Sequence, residues 1–150
     1  MKMRKVRIIP ISGFISECAP NARTIVSQDK RGRQKHIAKN NKGHSVNHYT
    51  VDGKILTTGL KCDFLLMNET KMDAYLIELK GSDLVHAAKQ LDATHKALTK
   101  SLSGYNVLYR IISNRCSTHE IRDSEFLKFK NRWKSKLKCK SNQLEDDING

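Results

Sequence analysis

The sequence is poor in features that mark membrane, secreted and single-strand-binding proteins. None of its apolar runs approaches the roughly 18 residues of a membrane-spanning helix. Residues 1–15 begin basic, but their apolar stretch is short and is broken by Pro10, so we expect no secretory signal and a cytoplasmic location. Aromatic residues make up only 6% of the chain, and the tyrosines lack the spacing of a base-stacking platform.

Paired cysteines are also missing. The four cysteines lie far apart and form no Cys-x-x-Cys motif, so they indicate free thiols rather than a disulfide framework. A zinc site built from Cys116-x-x-His119 and a further cysteine is the alternative. Closed zinc sites usually combine two paired ligand clusters, however, and only one pair is present.

Acidic residues are scarce in the first part of the chain. The sequence has 28 Lys and Arg against 15 Asp and Glu, a net charge of +13. Residues 1–59 carry 12 basic and 3 acidic side chains, residues 60–110 carry 7 and 6, and residues 111–150 carry 9 and 6. This distribution predicts a polyanionic partner, with nucleic acid favoured over an anionic membrane surface.

The strongest basic excess lies in an arm over about residues 28–43. The arm contains several Gly and Asn residues, which predict a mobile loop. Such a loop is either a solvated surface segment or an arm that follows a phosphate backbone. The candidate nucleic-acid-binding residues are Lys30, Arg31, Arg33, Lys35, Lys39 and Lys42.

The C-terminal part has a basic residue at every second position over Lys128–Lys140. Strict alternation is typical of a strand, yet Phe126, Phe129, Trp133 and Leu137 recur at helical spacing. Residues 117–120 also have the spacing of a capping box. We therefore predict a basic helix over about 118–138 whose aromatic stripe packs on the core, followed by a frayed tail over 141–150.

The middle of the chain predicts a sheet with a helix packed on it. Asp52-Gly53 suits a tight hairpin, and a helix extends from an N-cap at Ser82 to Gly104. The predicted strands are Val46–Val51, Lys54–Thr58, Leu60–Met67, Met72–Lys80 and Asn106–Ser113. The fold class is α/β (α+β), a mixed β-sheet flanked by helices, in a single domain over 1–150 with its core at about 44–113.

Two acidic residues converge at the end of this sheet. If the strands around them turn near Thr70 and Lys71, Asp63 falls opposite Glu78. Lys80 projects from the same face as Glu78, one step farther along the strand. Two carboxylates, with the Leu79 carbonyl between Glu78 and Lys80, form a hard-oxygen site suited to Mg²⁺ or Mn²⁺.

The Glu-x-Lys pattern has little value alone, because Glu69-Thr70-Lys71 repeats it in a polar turn. Its context is more specific. Asp63, Glu78-Leu79-Lys80 and Gln90, within Lys-Cys-Asp-Phe-Leu-Leu and Tyr-Leu-Ile-Glu-Leu-Lys-Gly, resemble the PD-(D/E)xK superfamily of restriction-endonuclease-like nucleases. The resemblance covers about residues 60–113, and Cys62 stands where the name-giving motif has proline.

The resemblance implies a restriction-endonuclease-like fold and a metal-dependent nuclease, with DNA favoured over RNA. In this family the Asp and Glu bind Mg²⁺ and the Lys supports the attacking water, which gives those roles to Asp63, Glu78 and Lys80. Gln90 matches a supporting Gln of some branches, and Glu17 is the one acid early enough to match a helical acid of many members. Nucleases that cut both strands often act as homodimers.

Two other functions remain open from the sequence. The same fold could bind nucleic acid or a protein without catalysis, with no metal on Asp63 and Glu78. A basic inhibitor or accessory protein that docks on an acidic partner is the third reading. In the plain structural interpretation, Glu78 and Lys80 are an exposed ion pair worth a few tenths of a kcal/mol.

Overall fold

The computed structural model describes residues 10–80, 83–114 and 118–150, without the side chains of Lys80, Thr118 and His119. A short 3-10 turn (Lys134–Lys136) connects the last helix to the strand that follows it. The elements of the described residues are, in chain order, β1 (Thr24–Gln28), β2 (Lys35–Lys39), β3 (Val46–Thr50), β4 (Phe64–Asn68), β5 (Asp73–Lys80), α1 (Leu84–Ala97), β6 (Asn106–Ser113), α2 (Thr118–Ile121), α3 (Ser124–Trp133), β7 (Leu137–Ser141) and β8 (Gln143–Asp147).

The larger sheet has five strands in the order β3-β4-β5-β6-β7. β4 runs antiparallel to both β3 and β5, whereas β6 pairs parallel with β5 and β7 pairs parallel with β6. Because a parallel step needs a long crossover connection, α1 spans the interval between β5 and β6. β4 and β5 are apolar on both faces, as expected for strands that are covered on both sides. The predicted mixed sheet is therefore confirmed.

A smaller sheet covers one face of the larger one. It has the order β1-β2-β8, with β1 antiparallel and β8 parallel to β2. Ile25, Ala38 and Leu144 from this sheet pack against Leu66 and Ile77 of the larger sheet. The prediction of a frayed tail over 141–150 is wrong, because β8 alternates buried and exposed residues and is held in the smaller sheet.

The helices cover the other face of the larger sheet. Leu84 and Leu91 of α1 pack in one core with Phe126 and Trp133 of α3. The ring of Trp133 stacks on Tyr109 of β6 with 3.9 Å between the ring centroids. The predicted aromatic stripe of the C-terminal segment therefore does face the core, as far as Trp133.

The single helix predicted over 118–138 is wrong. The segment divides into α2, α3, the 3-10 turn and β7. Asp123 begins a new helix by accepting the N–H groups of Glu125 and Phe126, and Lys134 ends it with φ of 50°. The alternation of basic residues over 137–141 belongs to a strand after all. Ser117, the first residue of the predicted capping box, lies outside the described residues.

The basic arm over 28–43 is a hairpin rather than a mobile loop. β1 and β2 pair in register from Thr24 with Lys39 to Gln28 with Lys35. His36 and Ala38 are fully buried, so this segment alternates inward and outward side chains as a strand does. Its cations therefore occupy fixed positions on the fold.

Two other predictions for the middle of the chain also need correction. The hairpin across Asp52-Gly53 is wrong, since residues 51–56 close into a compact turn with one isolated bridge and β3 pairs with β4 instead. The helix cap is Asp83 rather than Ser82, which lies outside the described residues. The chain is thus a mixed α+β fold, and within the described residues no helix combines the length and apolarity needed to cross a membrane.

Candidate functional site

Asp63 and Glu78 lie side by side at one end of the larger sheet. Asp63 directly precedes the last pair of the β4–β5 ladder, Phe64 with Ile77, and donates its N–H to the carbonyl of Ile77 at 3.1 Å, which brings it next to Glu78. Alternate residues of a strand share a face, so the two acids project on the same side as Leu65 and Leu76. Both leucines pack in the core beneath α1, so the carboxylates lie on the helix-covered face.

The two carboxylates are held close together. Asp63 Oδ2 accepts the backbone N–H of Leu79 at 2.8 Å, and the Glu78 carboxyl lies within hydrogen-bonding reach of Asp63. Glu78 is only 2% exposed. Leu79 therefore orients the Asp63 side chain through its N–H, while its carbonyl as a metal ligand stays a prediction.

Negative charge accumulates around this pair. Burial raises the pKa of Asp63 to about 6, and the charges of Asp29 and Asp52 act in the same direction. The hydrogen bonds from Leu79 and Glu78 oppose this rise without cancelling it. A carboxylate whose ionised form is disfavoured in this way gains from a nearby cation.

Asp29 and Asp52 were not recognised as candidates from the sequence. Asp29 follows β1 and Asp52 follows β3, so elements from distant parts of the chain bring them toward Asp63. Burial and the charge of Asp52 raise the pKa of Asp29, and Asp52 itself forms an ion pair with Lys61 at 3.7 Å. Their one sequence signal is that they are isolated acids in the most basic part of the chain.

Lys80 is the last residue of β5 and pairs with Ser113 of β6. It follows Glu78 by two residues, so the backbone alternation assigns both positions to the same face. The Lys80 side chain lies outside the described part of the structure. Its predicted role therefore rests on its place in the strand.

Gln90 and Thr94 fix the residues that precede Asp63. Gln90 Nε2 donates to the carbonyl of Lys61 at 3.0 Å, and Thr94 Oγ1 accepts the N–H of Cys62 at 2.7 Å. The Thr94 hydroxyl also donates to the carbonyl of Gln90 at 2.8 Å, one helical turn back. Gln90 is thus hydrogen-bonded to the backbone two residues before Asp63. Thr94 is a positioning residue that was not predicted from the sequence.

Glu17 lies at the end of β3. Its carboxylate accepts the hydroxyl of Thr50 at 3.0 Å and the Thr50 backbone N–H, with Lys54 at 3.8 Å. Although burial acts to raise the pKa of Glu17, the hydrogen bonds from Thr50 and the charge of Lys54 lower it. Thr50 pairs with Phe64, so Glu17 is a neighbour of the site. Its carboxylate, however, is already hydrogen-bonded to Thr50 of β3.

The candidate basic residues divide between the two ends of the hairpin. The β1–β2 turn, with Lys30, Arg31 and Arg33, lies at the end of the sheet that carries the acidic pair. Gln34 bonds to Asn114, just after β6, and the Lys35 N–H donates to the carbonyl of Asn142 at 3.0 Å. Lys39 and Lys42 lie at the opposite end, beside Glu145 and Asn149.

A second buried cluster of charges lies between the two sheets. Asp146 of β8 accepts hydrogen bonds from His36 Nε2 and Arg110 Nε, each at 2.7 Å, and Lys138 Nζ lies at 3.2 Å. Although burial acts to raise the pKa of Asp146, the bonds from His36 and Arg110 hold it well below its usual value. No sequence pattern predicts this cluster, because its members are remote in the chain.

The donor set of the acidic pair fits a hard divalent cation, since carboxylate oxygens are the ligands that Mg²⁺ and Mn²⁺ prefer. Among the described residues, no group of three or more His, Cys, Asp and Glu is arranged to hold a metal. Asp63 and Glu78 would therefore need backbone or water oxygens to complete the coordination. For the zinc alternative, Cys116 and the His119 side chain lie outside the described residues.

No family model, curated protein or solved structure matches this chain.

Proposed function

We propose that the protein is a metal-dependent nuclease that hydrolyses phosphodiester bonds of nucleic acid, with DNA as the favoured substrate. The adjoining carboxylates of Asp63 and Glu78 carry this proposal, because they lie at the end of the larger sheet that the basic β1–β2 turn of the smaller sheet also approaches. A surface that binds polyanions has no electrostatic reason to gather carboxylates unless a cation stands between them and the phosphate.

The residues around the pair have distinct proposed roles. Asp63 and Glu78 would hold Mg²⁺ or Mn²⁺, and the Leu79 carbonyl is a further candidate ligand. A bound ion of this kind supplies the Lewis acidity that stabilises charge developing on the phosphoryl group. The Leu79 N–H keeps the Asp63 carboxylate oriented, and Lys80 is assigned the support of the attacking water.

We also propose that the larger sheet has the restriction-endonuclease-like arrangement. Three antiparallel strands, β3 to β5, are followed by a helical crossover to a parallel β6, with the acids on the helix-covered face. Gln90 supports the proposal as a positioning residue. Glu17 has less support, since Thr50 occupies its carboxylate. A homodimer and a cytoplasmic location stay predictions.

A cleavage assay on supercoiled and linear DNA with Mg²⁺, Mn²⁺ or EDTA tests the proposal. The folded wild-type protein is expected to cut DNA with either metal, and Glu78→Gln and Lys80→Ala are expected to lose about a hundredfold or more of this activity. The second Glu-x-Lys motif provides matched controls, because Glu69→Gln and Lys71→Ala alter the same residue types at the opposite end of β5.

Thermal unfolding of each variant distinguishes a chemical loss from a folding defect. If the folded wild-type protein cuts neither DNA nor RNA with either metal, the nuclease proposal is wrong. Salt-sensitive nucleic-acid binding that survives Asp63→Asn without any cleavage would instead favour the non-catalytic module.

A further inference from the structure

Seven exposed basic side chains follow one another at every second position of one chain segment, which we call the C-terminal ridge. It follows α3, the 3-10 turn and β7, and no acidic residue occurs between Phe126 and Leu144. Cations stabilise a helix through its dipole only near the C-terminal turn. The basic residues here continue into the following strand, so the helix dipole does not account for all of them. The ridge consists of Lys128, Lys130, Arg132, Lys134, Lys136, Lys138 and Lys140.

Most of this charge is not neutralised by the rest of the described chain. Arg132 Nη2 lies 3.0 Å from Asp92 Oδ1, and Lys138 Nζ lies 3.2 Å from Asp146 Oδ1. The other five cations form no ion pair with a described residue. The ridge therefore presents a net positive field to the solvent, and a partner with regularly spaced negative charge complements it.

One end of the ridge, at the end of β7, lies at the same end of the larger sheet as the acidic pair. Ser141 at the end of β7 pairs with Ser113, and Ser113 pairs with Lys80. Neighbouring strands lie about 4.8 Å apart, so this end of β7 is about 10 Å from the backbone of Lys80. Asn142 accepts the N–H of Lys35, which brings the basic β1–β2 turn to the same edge.

The structure favours nucleic acid over other partners for this surface. A second copy of the ridge would meet it with like charge. An anionic membrane would bind most strongly to a helix whose apolar face is free to enter the lipid. Phe126 and Trp133 are only 1% and 6% exposed, so the apolar face of α3 is already used by the core.

We propose that the C-terminal ridge binds the phosphate backbone of nucleic acid and extends the substrate contact away from the acidic pair. This inference rests on the proposed function, because it assigns the path of the substrate of that same site. Lys130 and Lys134 are one helical turn apart and carry no ion pair with a described residue, so they are the most direct contacts to test.

The test measures binding of a 20-base-pair DNA duplex by fluorescence anisotropy in EDTA, where a metal-dependent enzyme does not cut. The variant Lys130→Gln with Lys134→Gln is expected to bind about tenfold more weakly at 0.1 M salt, with a salt slope smaller by about 1.8. The control, Lys71→Gln with Lys100→Gln, removes the same charge from exposed lysines at the opposite end of the larger sheet and should bind as the wild type does.

Equal losses in the ridge and control variants, or wild-type affinity and slope in the ridge variant, would overturn the proposal. Binding to phosphatidylserine vesicles in preference to the duplex would overturn it as well. Cleavage assays on the same proteins separate the two proposals. A protein that binds through the ridge but never cuts DNA contradicts only the nuclease function, whereas a ridge variant that binds and cuts normally contradicts only the ridge.

Discussion

Two carboxylates on opposite faces of the larger sheet have opposite electrostatic surroundings. Asp146 lies between the sheets with three cationic or hydrogen-donating side chains around it, and its pKa is held well below the usual value. Asp63 lies under α1 with other acids around it, and its pKa is raised to about 6. The fold therefore neutralises the buried Asp146 internally, whereas the half-buried Asp63 has no ion pair with a described residue.

This contrast has a physical consequence for stability and for function. A buried charge that is fully paired contributes to the unique packing of the two sheets, and removal of one partner leaves the others buried without compensation. A half-buried acid among other acids costs folding free energy instead, and such perturbed groups are enriched at binding and catalytic sites. Three substitutions test the contrast.

The largest effect is expected from Asp146→Ala. This substitution leaves Arg110 and His36 buried beside an empty position, so the free energy of unfolding at pH 7 should fall by about 3–5 kcal/mol in urea denaturation. Glu145→Ala, at the exposed neighbouring position, should change it by less than about 0.5 kcal/mol.

The effect of Asp146→Ala should also depend on pH. Because the folded-state pKa of Asp146 is lowered, its stabilising contribution is present above the unfolded-state pKa of about 3.9 and is lost as the pH falls below it. The difference between wild type and variant should therefore shrink in acid. A difference that stays constant down to pH 2 would show that the ionic contacts do not stabilise the fold.

An intermediate effect is expected from Thr94→Val. The Cys62 N–H loses its acceptor in a buried place, which should lower the free energy of unfolding by about 1–3 kcal/mol. Thr99→Val is the matched control, because Thr99 is exposed just beyond the end of α1 and its hydroxyl bonds only to carbonyls of the last turn of that helix. If Thr94 positions the acidic pair, cleavage by the folded variant should fall as well, whereas Thr99→Val should retain it.

The smallest effect, with the opposite sign, is expected from Asp63→Asn without metal. Asn keeps an oxygen that can accept the Leu79 N–H but carries no charge. The raised folded-state pKa means that wild-type stability is lost as the pH rises from about 4 to 6, and the variant avoids this loss. After allowance for solvent screening, the variant should gain about 1 kcal/mol at pH 8 in chemical denaturation and nothing at pH 4.

Addition of Mn²⁺ should reverse this order. Binding to the folded state raises the stability of the wild type in proportion to the logarithm of the metal concentration, and the variant lacks one ligand. A melting temperature that rises equally in both proteins would contradict a metal site at Asp63.

The acidic pair could be predicted from sequence because its geometry is local. The turn near Thr70 and Lys71 fixes the register of two adjacent strands, and the alternation of side chains then fixes the face. β6 was equally readable, since its apolar run over Asn106–Ser113 matches the strand in full. In such regions the information lies within a few tens of residues.

The smaller sheet could not be predicted in this way. β8 turns Asp146 inward, and β2 turns His36 inward, so neither strand shows an apolar alternation along its whole length. Asp146 can be buried because His36 and Arg110, from two other elements, both donate hydrogen bonds to it. Strands with such a pattern resemble polar loops or tails in sequence, which is why a loop is predicted over 28–43 and a frayed tail over 141–150.

The pairing of β2 with β8 also constrains the order of assembly. Lys35 meets Gln143 and Lys39 meets Asp147, so this ladder closes a chain segment of more than a hundred residues. Contacts so distant in sequence form slowly, because the chain must lose the entropy of a long loop before they contribute. On the ribosome, the β1–β2 turn reaches its final support only after residue 147 has emerged. The cations beside the acidic pair are therefore the last part of the surface to be set, and a nascent chain completes this positively charged surface only when synthesis has passed β8.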